Sequence, residues 1–138
     1  REKAVDWRYT IASPAEDWET PGFADADWSL GPAGFGRSSL PNAHAATRWE
    51  GPDIWMRTTF PGPPMKGGLA YLRIYHDEEA EVFINGTSIA AFSGNSTDYV
   101  EFQFPSELLK PDKNTIAIHC HQTKGGQYID AGVNYYHY

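Results

Sequence analysis

Hydrophobic and polar residues alternate in short runs along this chain, and no stretch repeats its apolar residues at the spacing that an amphipathic helix requires. Between Leu69 and Tyr75, for example, the side chains at odd-numbered positions differ in character from those at even-numbered positions, which is typical of a strand with two different faces. The pattern predicts about eight strands, at Trp7–Ile11, Ile54–Phe60, Leu69–Tyr75, Glu81–Ile84, Thr87–Ala90, Tyr99–Phe104, Asn114–His121 and Gln127–Asp130.

The residues between these runs are rich in glycine, proline, asparagine and aspartate, which interrupt strands and form turns. Asn85-Gly86 separates two runs and predicts a tight hairpin, because both residues accept a positive φ. Residues 12–53 hold so many of these breakers that we expect one long loop there, pinned by its aromatic side chains. Ser106–Leu109 is expected to form one helical turn. The chain is therefore predicted to be all-β, an antiparallel β-sandwich of the jelly-roll type.

Composition and charge narrow the range of partners. The 138 residues carry a formal net charge of −7 and contain no cluster of Lys and Arg, so a nucleic-acid backbone would be repelled. No apolar run is long enough to span a bilayer, and we expect no membrane partner. We expect residues 1–138 to form a single monomeric domain. Because the sequence starts at Arg1 without an initiator Met, we expect it to be excised from a larger multidomain protein.

Four groups of residues follow one another in a recognisable order: Phe23…Asp27-Trp28…Gly34-Phe35-Gly36, Asp53-Ile54-Trp55-Met56-Arg57…Phe60, Glu81-Val82-Phe83-Ile84-Asn85-Gly86 and Asn114-Thr115-Ile116-Ala117-Ile118-His119. They resemble the galactose-binding-like jelly roll. More narrowly, the chain is similar to the sugar-binding-like domains of glycoside hydrolase family 2 enzymes and of related bacterial polysaccharide-degrading proteins. The resemblance implies a secreted, periplasmic or cell-surface protein whose partners are a carbohydrate and a tethered catalytic domain.

The resemblance also implies that the loop before the Trp-x-Arg strand and the segment near the last strand meet at one end of the sandwich. Sugar recognition needs an apolar platform for the pyranose ring and planar polar groups that bond its hydroxyls. Trp49 is the candidate platform, and Arg48, Gln127 and Asp130 are the candidate hydrogen-bonding groups. The alternative is that Trp49 covers the loop and Asp130 forms a local turn.

Trp55 and Arg57 alternate with Ile54 and Met56, so one pair must face the core and the other must face outward. The complete set of predicted ligand contacts is His44, Arg48, Trp49, Trp55, Arg57, Asp77, Glu78, Gln127, Tyr128 and Asp130.

Two further groups raise the question of a metal ion. The acidic run that follows His76 includes Asp77 and Glu78, which could be a solvated turn, ligand contacts or a structural calcium site, although the regular ligand spacing of a calcium loop is missing. His119 and His121 share one strand face and could bind a transition metal if His44, His76 or His137 supplied a third ligand. The alternative is that one of the two forms a hydrogen bond within the sandwich and the other lies at the strand end. We expect no cofactor.

No two acids are marked as a catalytic pair, and no nucleophile elbow or phosphate loop is present in the sequence. We therefore expect no catalytic residues. The leading hypothesis is a non-catalytic carbohydrate-binding module of a polysaccharide-degrading enzyme, and the alternative is a scaffold domain that packs on a glycoside hydrolase without binding sugar alone.

Overall fold

The computed structural model of the chain describes residues 6–36, 47–49, 51–62, 68–76, 79–93, 99–122 and 128–136. Within these residues, eleven strands form two sheets, which confirms the predicted β-sandwich. A 3₁₀ turn at Ser106–Leu108 confirms the predicted helical turn. The strands are β1 (Asp6–Thr10), β2 (Ser29–Pro32), β3 (Phe35–Gly36), β4 (Thr47–Arg48), β5 (Asp53–Pro61), β6 (Leu69–His76), β7 (Glu79–Ile84), β8 (Thr87–Phe92), β9 (Val100–Phe104), β10 (Lys113–His121) and β11 (Tyr128–Tyr136).

The two sheets have different sizes. One has six strands in the order β2-β1-β5-β10-β7-β8, and the other has five in the order β4-β3-β11-β6-β9. Neighbouring strands are antiparallel except β3 and β4, which run parallel. The prediction of an uninterrupted loop over residues 12–53 is wrong, because β2, β3 and β4 lie within it. These strands have four residues or fewer, too short to show an alternating pattern between the surrounding breakers.

The core lies between the sheets and follows the predicted alternation. In β5, Ile54 and Met56 face the core, so Trp55 and Arg57 lie on the outer face of the six-stranded sheet. The buried apolar residues that form this core are Trp7, Phe35, Trp49, Ile54, Met56, Ala70, Leu72, Ile74, Ala80, Val82, Ile84, Phe104, Ile116, Ile118, Cys120 and Ile129.

The hairpin between β7 and β8 turns at Asn85 and Gly86, whose φ angles are 50° and 86°. Both values are positive, as the sequence predicts for this turn.

At the end of the sandwich opposite the β7–β8 turn, strand ends from both sheets lie together. His121 at the end of β10 pairs with Asp53 at the start of β5 and with Glu79 at the start of β7. In the other sheet, His76 at the end of β6 pairs with Ile129 near the start of β11. We call this end the rim.

Candidate functional site

Two stretches that are far apart in the sequence meet at the rim. Gly36 of β3 is the register partner of both Arg48 in β4 and Tyr128 in β11, so the three residues form one row across the five-stranded sheet. Arg48 is exposed there. The structure thus places the two stretches side by side, as the resemblance implied. Four predicted ligand contacts lie outside the described residues: His44, Asp77, Glu78 and Gln127.

Trp49 does not form the predicted platform. Its side chain is 2% exposed and belongs to the hydrophobic core. Its Nε1 donates to the carbonyl oxygen of Asp53 at 3.1 Å, and its backbone N–H donates to the carbonyl of Gly36 at 3.3 Å. A ring enclosed in this way has no accessible face on which a sugar could stack. It is buried because removing a large aromatic side chain from water is favourable. Trp49 is therefore a core residue, rather than a platform at the surface.

Tyr128 is not available to a ligand either. It is 2% exposed, its ring lies 5.0 Å from that of Tyr75, and its hydroxyl oxygen is 3.4 Å from that of Tyr99. Asp130, on the same outer face of the five-stranded sheet, accepts a hydrogen bond from the Tyr99 hydroxyl through Oδ2. Asp130 belongs to β11, so the alternative of a local turn is also wrong.

Burial raises the pKa of Asp130 above its ordinary value, although the hydrogen bond from Tyr99 and the nearby Arg73 act in the opposite direction. Burial, together with Asp130, also raises the pKa of Tyr99. The guanidinium of Arg73 covers the Tyr99 ring, 4.0 Å from its centroid. These contacts describe a cluster of tyrosine and aspartate side chains whose polar atoms bond to each other, with Tyr99 and Asp130 partly exposed.

Arg57 faces outward but is only 4% exposed, because the loop before β2 crosses over it. Its Nε donates to the Asp25 carboxylate at 2.8 Å, and its Nη1 donates to the carbonyls of Trp18 and Thr20 at 2.6 and 2.8 Å. Nη2 donates to the carbonyl of Phe23 at 3.4 Å. Four of the five N–H groups are thus used by the loop, so the prediction that Arg57 contacts a ligand is wrong.

Trp55 is a predicted contact that the structure leaves partly exposed. Its register partners are Thr10 in β1 and His119 in β10. The indole stacks on the His119 imidazole with ring centroids 4.5 Å apart and an interplanar angle of 4°. The two rings therefore form a single aromatic stack on the outer face of the six-stranded sheet.

Asp53 joins His119 to His121. Nε2 of His119 and Nδ1 of His121 each lie 2.8 Å from the same oxygen, Asp53 Oδ1. Burial alone would raise the pKa of Asp53, but the hydrogen bonds from His121 and His119 hold it below its ordinary value. The two histidines are one-third and two-fifths exposed.

Both histidines hydrogen-bond to Asp53 on the outer face of the sheet, whereas the alternative to a metal site was a hydrogen bond from one of them within the sandwich. Among the described residues, no group of three or more His, Cys, Asp or Glu side chains could hold a metal ion. His76 cannot complete such a group, because it is buried on the core side and its ring stacks on Phe92 at 4.9 Å.

The sequence did not reveal Asp53 and Tyr99 as partners of candidate residues. Asp53 sits two positions before Trp55, so the alternation already places them on one face. His119 and His121 reach that carboxylate because β10 pairs with β5 in a particular register. The sequence alone shows neither the pairing nor the register. No helix among the described residues has the length and apolar character to cross a membrane.

No protein family and no curated protein matches the sequence. Solved structures do match in fold. Against β-glucuronidase 2 of Bacteroides uniformis, covalently bound to cyclophellitol-6-carboxylate aziridine, the TM-score is 0.72 at 17% identity, over 96% of this chain and 17% of the enzyme. For a glycoside hydrolase family 2 member from Bacteroides cellulosilyticus, the TM-score is 0.65 at 15% identity, over 91% of this chain and 20% of that one. For a β-glucuronidase of Ruminococcus gnavus, the TM-score is 0.63 at 20% identity, over 86% of this chain and 20% of the enzyme.

This chain therefore spans about a fifth or less of the length of the enzymes that it matches. At these identities the likeness is one of fold. The predicted resemblance is confirmed at that level: the chain has the β-sandwich fold of one part of glycoside hydrolase family 2 enzymes.

Proposed function

We propose that this chain is a non-catalytic carbohydrate-binding module that serves a polysaccharide-degrading enzyme. The observation that carries the proposal is the convergence at the rim, where a fold shared with glycoside hydrolases brings together polar groups from distant strands. Arg48 is exposed there, and the half-buried Asp53 lies nearby, joined to the same region by the hydrogen bond from Trp49. Planar charged groups of this kind bond pairs of sugar hydroxyls.

In this role the module is tethered to a catalytic domain, outside the cell or in the periplasm, and raises the concentration of that enzyme at its substrate. A shallow surface makes few contacts, and these must offset the lost freedom of the ligand, so we expect a Kd of about 1 mM for a short oligosaccharide.

A glycan array that includes neutral and acidic oligosaccharides, followed by titration calorimetry, tests the proposal on the chain itself. We expect at least one class of glycan to bind. Uniform silence from a protein whose far-UV circular dichroism shows folded β-structure would contradict it.

One observation favours a second function, that of a scaffold domain packed on a glycoside hydrolase without binding sugar alone. Trp49 and Tyr128, the aromatic residues predicted at the rim, are both 2% exposed, and their polar atoms already have protein partners. For a scaffold we expect the same array to stay silent and no glycan to raise the thermal midpoint of unfolding.

A further inference from the structure

Three neighbouring strands of the six-stranded sheet arrange their outward side chains in rows. The register pairs Trp55 with His119 and His119 with Glu81, which gives one row across β5, β10 and β7. The next row, nearer the rim, consists of Asp53, His121 and Glu79. We call these six residues the outer-face patch.

The loop before β2 ends the patch on one side. It covers the following row, in which Arg57 is bonded by the loop backbone and Phe83 packs edge-on against Trp18 with centroids 5.6 Å apart. Ala117, between them, is completely buried. The patch itself stays accessible: Glu79 is exposed, and its five other members are partly exposed. The result is a shallow surface with an aromatic stack next to polar groups.

The hydrogen bonds of Asp53 decide what the patch offers to a ligand. An ionised carboxylate only accepts hydrogen bonds, so both imidazoles must donate to Oδ1. In their neutral forms His119 then carries its proton on Nε2 and His121 on Nδ1, which leaves His119 Nδ1 and His121 Nε2 as acceptors. Asp53 thus fixes the tautomer of each neutral ring, and the second nitrogen of that form is an acceptor.

The carboxylates of Glu79 and Glu81 add further acceptors and negative charge. Glu81 itself accepts a hydrogen bond from the Ser88 hydroxyl through Oε2 at 3.0 Å. Arg57, in the next row of this face, is paired with Asp25 at 2.8 Å. The patch therefore suits a ligand that donates hydrogen bonds, and it repels a ligand that carries carboxylates.

We propose that the outer-face patch is the carbohydrate site of this protein, and that it takes neutral or amino sugars in preference to uronic ones. The apolar face of a pyranose ring lies against the Trp55–His119 stack, and its hydroxyl or ammonium groups donate to Asp53, the imidazole nitrogens and the two glutamates. This inference rests on the proposed function, because it assigns a location and a ligand class to the same binding activity.

The test uses three matched pairs of trisaccharides as probes: cellotriose, galactotriose and mannotriose, each beside the corresponding trisaccharide with C6 carboxylates. Titration calorimetry on the whole chain should show at least one neutral probe binding about tenfold more tightly than its carboxylate partner. Trp55→Ala should weaken that binding at least about tenfold, and Trp55→Phe should retain most of it.

The double substitution Glu79→Gln with Glu81→Gln, on the surface, should narrow the difference between neutral and carboxylate probes without disturbing the fold. Tyr136→Ala is the matched control, because it removes an exposed aromatic ring from the outer face of the opposite sheet. We expect Tyr136→Ala to bind like the unmodified protein.

The outcomes separate this inference from the proposed function. Binding that is unchanged in Trp55→Ala would overturn the location while leaving the module a sugar binder. Tighter binding of the carboxylate probes would overturn the ligand class. If no probe and no arrayed glycan binds, the proposed function fails, and this inference fails with it.

Discussion

Arg57 is a cation that the protein buries on the outside of a sheet. Removing a guanidinium from water is tolerated only when its charge is paired and its donors are used. The loop before β2 meets both conditions, with the Asp25 carboxylate and three backbone carbonyls as acceptors, while the ring of Phe23 lies 5.4 Å away. The residue therefore fixes the loop that limits the outer-face patch.

We expect Arg57→Ala to lower the free energy of unfolding by about 3 kcal/mol, because it leaves the Asp25 carboxylate and the loop carbonyls without their donor. Urea denaturation measures this loss. Arg8→Ala is the comparison, since Arg8 lies in the neighbouring strand and donates to the carbonyl of Trp28 at 3.2 Å. A loss of only about 1 kcal/mol is expected there, and equal losses would contradict the role of Arg57.

At the scale of elements, one amide side chain links the turn of the β7–β8 hairpin to the segment around the start of β10. Asn85 Nδ2 donates to the carbonyl of Leu108 and to Oδ1 of Asn114, both at 2.9 Å, and its Oδ1 accepts from the backbone of Thr115 at 2.9 Å. Asn114 is 1% exposed and also bonds the backbone of Lys110 at both ends of its amide. The hairpin and the loop before β10 therefore depend on each other.

Gly86 allows the turn of this hairpin. A Cβ at this position would meet nothing closer than 3.7 Å, yet its φ is +86°, a conformation that side chains disfavour. Gly86→Ala should therefore cost about 1–2 kcal/mol of unfolding free energy through backbone strain alone. Gly22→Ala is the control, because a Cβ there has no atom within 4 Å and its φ lies outside the left-handed region. Thermal or urea unfolding of both variants would expose any error, and a cost-free Gly86→Ala would contradict the expected strain.

At the scale of the whole molecule, the two sheets carry acids with opposite behaviour. Asp130 lies in the tyrosine cluster on the five-stranded sheet, where burial raises its pKa. Asp53 sits on the six-stranded sheet, where hydrogen bonds from two histidines lower its pKa despite burial. The pH dependence of global stability therefore contains two contributions of opposite sign.

Because the folded pKa of Asp130 exceeds the unfolded one, its contribution to stability is complete below the unfolded pKa, about 3.9, and is lost as the pH rises through the folded pKa. Asp130→Asn mimics the neutral acid and should gain stability relative to the unmodified protein as the pH rises from about 3 to 7. The gain is about 1.4 kcal/mol for each unit by which folding raises the pKa.

Asp53→Asn should show the opposite trend in the same urea series. Its lowered pKa means that the carboxylate contributes stability above the unfolded pKa and loses it as the pH falls through the folded pKa. The variant should therefore be less stable than the unmodified protein at neutral pH, and the difference should shrink in acid. Parallel pH curves for the two variants would contradict both assignments.

The sequence by itself determined the strands and their faces. The alternation in β5 separated Ile54 and Met56 from Trp55 and Arg57, although only the structure shows which pair is in the core. Asn85-Gly86 marked the tight hairpin, because positive φ is a local property of the chain. The short strands β2 to β4 were not predicted, because runs of two to four residues are too short to show a period.

Only the tertiary structure decided which of the candidate side chains remain accessible. Trp49 and Trp55 are both aromatic residues of the same region, yet one is enclosed between the sheets and the other stays partly exposed. Arg57 is covered by a loop that lies some thirty positions earlier in the sequence. Asp53 is hydrogen-bonded by two histidines of a strand that begins sixty positions later. Exposure and hydrogen-bond partners depend on which distant segments pack together, and that packing is a property of the whole fold rather than of any local run of residues.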